Sequence, residues 1–310
     1  MRAPVALFVY KRFEHTERLL ESLAKNYLAE ETELFIFSDG AKKAADQEAI
    51  DKVRALINHP KWKSQFKNVS IVAAESNKGL ANSVINGVTG ILEQYGKIIV
   101  VEDDLILSKA FLRYMNKALD FYENVPEIWS ISGYSFPMKS LKNYPHDVFY
   151  GYRGCSWGWG TWKNRWDMVD WECKDYDAFV KDRNWVRKFN RGGRDMSQLM
   201  ASQMEGRIDS WAIRWCFAQS NADMLTVYPK NSYIINEGFD GSGTHSGVSS
   251  VFSTEILDCA EEKMEKLTVD PKIAHEFWKV YSDTLDRKII RKIRKLARIV
   301  RNQVRTMFFK

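Results

Sequence analysis

The first third of the chain alternates short apolar runs with stretches whose apolar residues fall three and four positions apart. Residues 4–10 (PVALFVY), 33–37 (ELFIF), 69–73 (VSIVA) and 97–101 (KIIVV) are runs rich in β-formers, and each predicts a buried strand. Between the first two, Leu19, Leu20, Leu23 and Ala24 sit at helical spacing, predicting a helix over about 15–27 with Thr16 as N-cap and Glu17 in its first turn. A polar helix is expected over about 44–58, stopped near Pro60, and another opens at residues 77–82 and runs to about Tyr95. Four strand–helix repeats in about 105 residues predict an α/β fold with a parallel sheet covered on both faces. Ligands of such sheets bind beyond the carboxyl ends of the strands. Asp39, the segment 77–82 and the triplet Glu102-Asp103-Asp104 all fall at those ends.

The second half is less regular. A helix over about 110–122 leads to the strand-like IWSISGY at 128–134. A Gly/Trp-rich loop is expected at 150–166 (YGYRGCSWGWGTWKNRW), then helices near 176–188 and 210–221, and strand-like MLTVYP and SYIIN. Residues 236–246 (NEGFDGSGTHS) read as a glycine-rich loop. The expected organisation is a catalytic domain over 1–255, a helical extension over 256–283 and a basic amphipathic helix over 284–310.

Composition fits a soluble globular protein: 45% of the 310 residues are hydrophobic and 28% charged. Eleven Trp, 13 Tyr and 17 Phe suit either the packing of sugar C–H faces on rings or a large aromatic core. Cys155, Cys173, Cys216 and Cys259 form no C-x-x-C pair, so neither a zinc site nor a disulfide framework is expected, and a reducing cytoplasm fits. The N-terminus reads as strand rather than signal peptide, and no 18-residue apolar run is present. Net charge is +6, yet residues 287–310 carry ten Lys or Arg and no acid, leaving the rest of the chain at −4. In that tail Ile289, Ile293, Leu296, Ala297, Val300, Val304, Met307 and Phe308 share one helical face. This predicts an amphipathic helix on an anionic membrane surface, with docking on its own domain or a partner as the alternative. Nucleic acid is not an expected partner, since no aromatic platform accompanies the charge.

Three successive carboxylates after an apolar strand repel one another and call for a cation. A hard divalent ion, Mn²⁺ or Mg²⁺, held by one or two of them and by diphosphate oxygens meets that need; a solvated acidic turn is the alternative. The stretch Asn77-Lys78-Gly79-Leu80-Ala81-Asn82-Ser83 at a helix start offers backbone N–H groups and Lys78 to phosphate, or is a plain strand–helix turn. Asp39 is placed to accept a hydrogen bond from a base or ribose, though Ser-Asp-Gly is also a turn signal.

Taken together, the opening PVALFVYKRFEHTERLLESL, Ser-Asp-Gly, NKGLANS and IIVVEDD resemble the GT-A glycosyltransferases over residues 4–245. The resemblance is closest in style to bacterial family 2-type sugar transferases and the N-acetylglucosaminyltransferase I group. It implies a Rossmann-like, mostly parallel central sheet flanked by helices. It also implies inverting transfer from a nucleotide diphosphate sugar, most simply a UDP-sugar, to a hydroxyl of a glycan or lipid-linked acceptor. By the same resemblance Asp104 is the metal ligand and Asp39 reads the base. Glu102 and Asp103, with Tyr10, Arg12, His15, Asn77, Lys78, Gly79 and Asn82, contact the nucleotide-sugar. Gly133 in IWSISGY, Gly158, Trp159 and Gly160 in GCSWGWGTW, and Trp211 line the sugar and acceptor pocket. Asp209 is the general base, although Ile208 stands where the group has Trp, and an N-cap for the helix over 210–221 is its alternative role. His245 completes the metal shell or is a solvated loop histidine. A retaining GT-A transferase and a non-catalytic sugar- or nucleotide-binding module are the competing readings. A nucleotidyltransferase is disfavoured because Lys11-Arg12-Phe13-Glu14 lacks glycine.

Overall fold

The runs at 4–10 and 97–101 become buried strands because alternate residues find a helical layer on opposite faces, whereas the run at 69–73, expected to be buried, forms an edge strand of half-buried and exposed residues. A computed structural model describes residues 1–238, 254–256, 258 and 261–281. Its first half runs β1 (Val5–Val9), α1 (Phe13–Ala24), β2 (Glu33–Ser38), α2 (Gln47–Ile57), β3 (Asn68–Ala73), α3 (Leu80–Tyr95) and β4 (Lys97–Glu102). The second continues with β5 (Leu105–Leu107), α4 (Phe111–Tyr122), β6 (Ile128–Ser132), β7 (Val148–Gly151), β8 (Trp159–Trp162) and α5 (Lys163–Trp166). Then come α6 (Tyr176–Phe179), α7 (Arg183–Phe189), α8 (Met196–Met204), α9 (Trp211–Asn221), β9 (Leu225–Pro229), β10 (Ile234–Asn236) and α10 (Pro271–Val280).

Among the described residues, eight strands form one sheet in the order β3-β2-β1-β4-β8-β6-β9-β7, and β10 pairs with β5 in a small second sheet. Strands β3, β2, β1 and β4 are parallel, as expected. Beyond them β8 runs antiparallel to both β4 and β6, β9 is parallel to β6, and β7 antiparallel to β9. Val5, Leu7 and Val9 of β1 pack with α1, α2 and α4 on one face, in a core that also takes Ile273 and Phe277 of α10. Ala6 and Phe8 point to the other face, against Val84 and Val88 of α3 and the indoles of α9. The fold is therefore α/β, a large central sheet between two helical layers.

Three expectations are corrected. Helix α1 starts at Phe13, with Arg12 in the cap position. Thr16 is buried inside the helix and its hydroxyl donates back to the Arg12 carbonyl at 2.7 Å, a local bond that a β-branched hydroxyl makes as readily as a cap. The 150–166 stretch is not a loop throughout, because β8 lies in its middle, in the heart of the sheet. Gly160 explains that placement: a Cβ there would lie 2.9 Å from the Ile98 carbonyl and 3.2 Å from Leu119 and Met115. Only glycine lets β8 pass so close beneath α4, while Trp159 and Trp162 fill the space on either side. The helix expected over 176–188 is broken at 180–182, where the Asp182 carboxylate accepts from the N–H groups of Asn184 and Trp185 and caps α7.

The described part of the 256–283 extension contains one helix, α10, preceded by extended chain at 261–270. Met264, Ile273 and Phe277 are buried in the main core, so this segment is continuous with the preceding domain. His245, Cys259 and residues 284–310 lie outside the described residues. No helix among the described residues is long and apolar enough to cross a membrane.

Candidate active site at the carboxyl edge of the sheet

Strand β4 pairs with β1 so that Glu102 stands opposite Phe8, which sets Asp103 and Asp104 beside the segment leaving β1. Arg12 ends that segment. One of its terminal nitrogens bonds the Asp103 carboxylate and reaches Asp104 Oδ2 at 3.1 Å. The chain thus provides its own cation for the triplet. Both acids are anchored by backbone. Asp103 is buried and accepts from the Tyr10 N–H, and the Asp104 carbonyl accepts from Glu237 N at 2.8 Å. Pairing of Asn236 with Leu105 brings this second segment in, and Gly238 lies directly against the Asp104 carboxylate.

Burial, then Asp104 and Asp103, push the Glu102 carboxyl up to about 8. Burial also raises Asp103, against the pull of Arg12. For Arg12, burial alone would favour loss of its charge; Asp103 and Asp104 outweigh it and hold the guanidinium charged. The ordinary value of Glu102 is 4.5 and its folded value is higher, so from about pH 4.5 to 8 the folded chain binds the extra proton. Stability is fully present below that window and falls as pH rises through it. Discounted for a half-buried group, the loss is about 1–3 kcal/mol. The metal-free protein is expected to melt lower at pH 8.5 than at pH 6, and Glu102→Gln to flatten that difference; an unchanged slope in the variant would assign it elsewhere.

A divalent ion fits the chemistry of this donor set, since Arg12 already stands as a cation shared between the two aspartates. Among the described residues, no group of three His, Cys, Asp or Glu side chains has the geometry to hold a metal. Were an ion to bind here, the carboxylates of Asp103 and Asp104 would be its protein donors.

Asp39 follows β2 directly and is fully engaged. Its Oδ1 accepts from Gly40 N and Lys78 N, both at 2.8 Å, and its Oδ2 from Asn77 Nδ2 and Gly79 N, both at 3.0 Å. Four bonds fill a carboxylate's acceptor capacity. Asp39 therefore ties the Asn77–Gly79 turn to β2, and the N–H groups of Lys78 and Gly79, expected to face phosphate, are turned to it instead. The first bond inside α3 runs from Ser83 N to Gly79 O, so the N–H groups of Leu80, Ala81 and Asn82 are the helix-end donors that precede the intrahelical ladder. Gly40 allows the junction, because a Cβ there would lie 2.5 Å from the Ser76 backbone. Asn82 caps the turn itself, its amide bonding the Lys78 carbonyl at 3.0 Å. Arg54 of α2 was not singled out by sequence. Its guanidinium donates to the carbonyls of Ala74 at 2.7 Å and Asp39 at 3.3 Å, clamping the ends of β3 and β2. An isolated Arg in a polar helix gives no sign of that role. Tyr10 donates to Asp46 at 3.1 Å and accepts from Lys42 N at 2.9 Å, fastening the 40–46 loop beside β1. His15 lies half-buried in the first turn of α1.

Asp209 is brought to this turn from the second half. Its Oδ2 lies 3.7 Å from where a Cβ on Gly79 would be, and Oδ1 is 3.4 Å from the Arg214 guanidinium. The N-cap of α9 is Ser210, whose hydroxyl accepts from Ile213 N, so Asp209 does not have the capping role. Its carboxylate is 61% exposed.

The expected sugar pocket is corrected. Gly133, Gly158, Trp159, Gly160 and Trp211 are all buried. Gly133 N donates to Gly158 O at 2.7 Å, and side chains at either glycine would strike Phe111 and Ile234. Trp159 packs on Trp215, Trp211 and Trp166 at ring-centre distances of 4.5, 5.1 and 5.8 Å. An indole suits a sugar face and a core equally well, so sequence alone does not separate the two uses of these aromatics. The half-exposed residues at this edge are their neighbours, Arg153 to Trp157. Arg153 pairs with Asp195 at 2.8 Å and lies 4.0 Å over the Tyr281 ring, and Trp157 stands edge-on to Tyr134 at 4.7 Å.

No protein-family model matches this sequence, and no curated protein matches it. Among solved structures the chain is similar in part to S. aureus TarS. With TarS 1–349 the identity is 13% and the TM-score 0.42, over 77% of this chain and 61% of that one. With TarS 1–349 in complex with UDP the values are 18% and 0.33, over 46% and 40%. A further S. aureus TarS structure gives 18% and 0.31, over 40% and 20%. This chain thus spans between a fifth and three fifths of the TarS chains it matches, and at these scores the likeness carries no argument about activity.

Proposed function

We propose that this chain is a GT-A-type glycosyltransferase that moves a sugar from a nucleotide diphosphate sugar, first of all a UDP-sugar, to a hydroxyl of a glycan or lipid-linked acceptor. One observation carries the reading: the carboxyl edge of the sheet gathers an acidic pair bridged by Arg12, an open helix N-terminus at Leu80–Asn82 and the exposed carboxylate of Asp209. That set offers a cation and helix-end donors to a diphosphate and a base to an acceptor hydroxyl. A divalent ion held by Asp103 and Asp104 would stabilise charge on the departing diphosphate. In this reading Arg12 and the N–H groups of Leu80–Asn82 hold the diphosphate. Asp209 takes the acceptor proton as the hydroxyl attacks from the face opposite the leaving group, inverting the anomeric centre.

The test is metal-dependent nucleotide release from UDP-, GDP- and dTDP-sugars, comparing wild type with Asp104→Ala and following the product's anomeric configuration by NMR. Wild type is expected to turn over at least one donor with Mn²⁺, and the variant to lose about 10²–10³-fold. Failure of every donor to bind, with or without Mn²⁺, would sink the reading, and retained configuration would replace inversion by retention.

The basic segment 284–310 is proposed to rest on an anionic membrane surface at the cytoplasmic face, where a lipid-linked acceptor would be at hand. Full-length protein is expected to float with anionic vesicles and a truncation at residue 284 to stay behind. Equal flotation of both would remove the membrane from the proposal.

A further inference from the structure

Arg12 is the partner of the acidic pair and stands at the same edge of the sheet. Its bonds to Asp103 and Asp104 engage carboxylate oxygens that a divalent ion would need. Two cations sharing those carboxylates repel at such range, which disfavours holding the ion and the guanidinium there together. The Asp103 carboxylate is held by the Tyr10 N–H, and the main chain of Asp104, through its carbonyl, by the Glu237 N–H. Arg12 is the movable party, with a long side chain that is 22% exposed at the start of α1. A displaced guanidinium needs a new anion, and its planar fork suits phosphate oxygens. A diphosphate arriving alone, in turn, meets the acids with their charge only partly offset.

We propose that Arg12 is an exchangeable counter-ion that makes metal and nucleotide binding cooperative. The ion displaces Arg12 from the acidic pair, and the diphosphate receives it. This rests on the glycosyltransferase reading above, with Arg12 as a binding residue. By linkage, the factor by which UDP strengthens metal binding equals the factor by which metal strengthens UDP binding.

The experiment is titration of full-length wild type, Arg12→Gln and Arg12→Lys with Mn²⁺, with and without UDP, reading free Mn²⁺ by electron paramagnetic resonance. In wild type UDP is expected to tighten Mn²⁺ by at least about tenfold. Without UDP, Arg12→Gln is expected to bind Mn²⁺ at least about tenfold more tightly than wild type and to show a smaller effect of UDP. Arg12→Lys, a point charge that bridges two carboxylates poorly, is expected to fall between them; should the Gln variant not fold, the Lys variant carries the comparison. A purely architectural arginine gives the opposite sign, weaker Mn²⁺ binding in the variants. Mn²⁺ affinity in the variants equal to or weaker than wild type, or no effect of UDP in wild type, overturns the proposal. Wild type that binds neither UDP nor Mn²⁺ overturns the functional reading and this inference together.

Discussion

Asp209→Asn is expected to lower kcat by about 10²–10⁴-fold while leaving UDP and Mn²⁺ affinity within about threefold. The amide keeps the size and the place beside Gly79 but cannot accept a proton from an attacking hydroxyl. Three features single out this carboxylate. Ser210 performs the capping of α9, so the change removes no helix cap. The side chain is mostly exposed, so no buried bond is lost. Arg214, which also donates to the carbonyls of Ser210 and Trp171, holds the first turn of α9 whichever residue stands at 209. Steady-state transfer assays with parallel calorimetry of UDP and Mn²⁺ separate the two effects. A variant that transfers at the wild-type rate removes Asp209 from the chemistry.

Asp39→Ala is the second large effect, and it divides two roles. A residue that only reads the base would cost nucleotide selectivity and little stability. The geometry makes Asp39 the tie between β2 and α3, so the variant leaves the N–H groups of Gly40, Lys78 and Gly79 without their acceptor and the Asn77 amide with the Gly40 carbonyl alone. Each orphaned donor costs about 1–3 kcal/mol where water cannot replace the carboxylate, and partial solvation makes about 2–5 kcal/mol a reasonable total. We expect a fall of several degrees in melting temperature together with weaker binding of every nucleotide tested. A variant that melts like wild type and merely accepts other bases would restore the base-reading role.

The parallel half of the fold was legible because its strands are apolar on both faces and its helices keep a clear stripe. Strand β8 was not, because glycine and tryptophan in GWGTW are turn and pocket signals when read locally. Only the approach of Gly160 to Ile98 shows why they are sheet residues. Strand β5 was missed for a different reason: three residues carry no period, and their pairing with β10 joins segments about 130 positions apart. The site divides in the same way. Glu102–Asp104, Asp39 and the Asn77–Gly79 turn were visible as polar residues at strand ends, a local property. Which of their partners lie inside the protein was not. Asp39 looked free to meet a ligand, and Arg12 looked like one more cation near a nucleotide, because a bond across 91 residues leaves no trace in spacing. The N-cap question at Asp209 turned on which of two adjacent oxygens bends back toward Ile213, and a sequence holding Asp and Ser side by side cannot rank them.

The β8 seam also bears on how the chain is made. Strands β1 to β4 and their helices are complete once residue 102 has been synthesised, but β4 then has one side unpaired, carrying KIIVVE with apolar residues on both faces. Its partner emerges about sixty residues later, a delay of about 3–12 s at ordinary translation rates. Through that interval the nascent chain displays an open sheet edge, the feature that most readily captures a neighbouring chain. Translation speed between β4 and β8, and any chaperone that shields the edge meanwhile, should govern how much of this protein reaches its folded state.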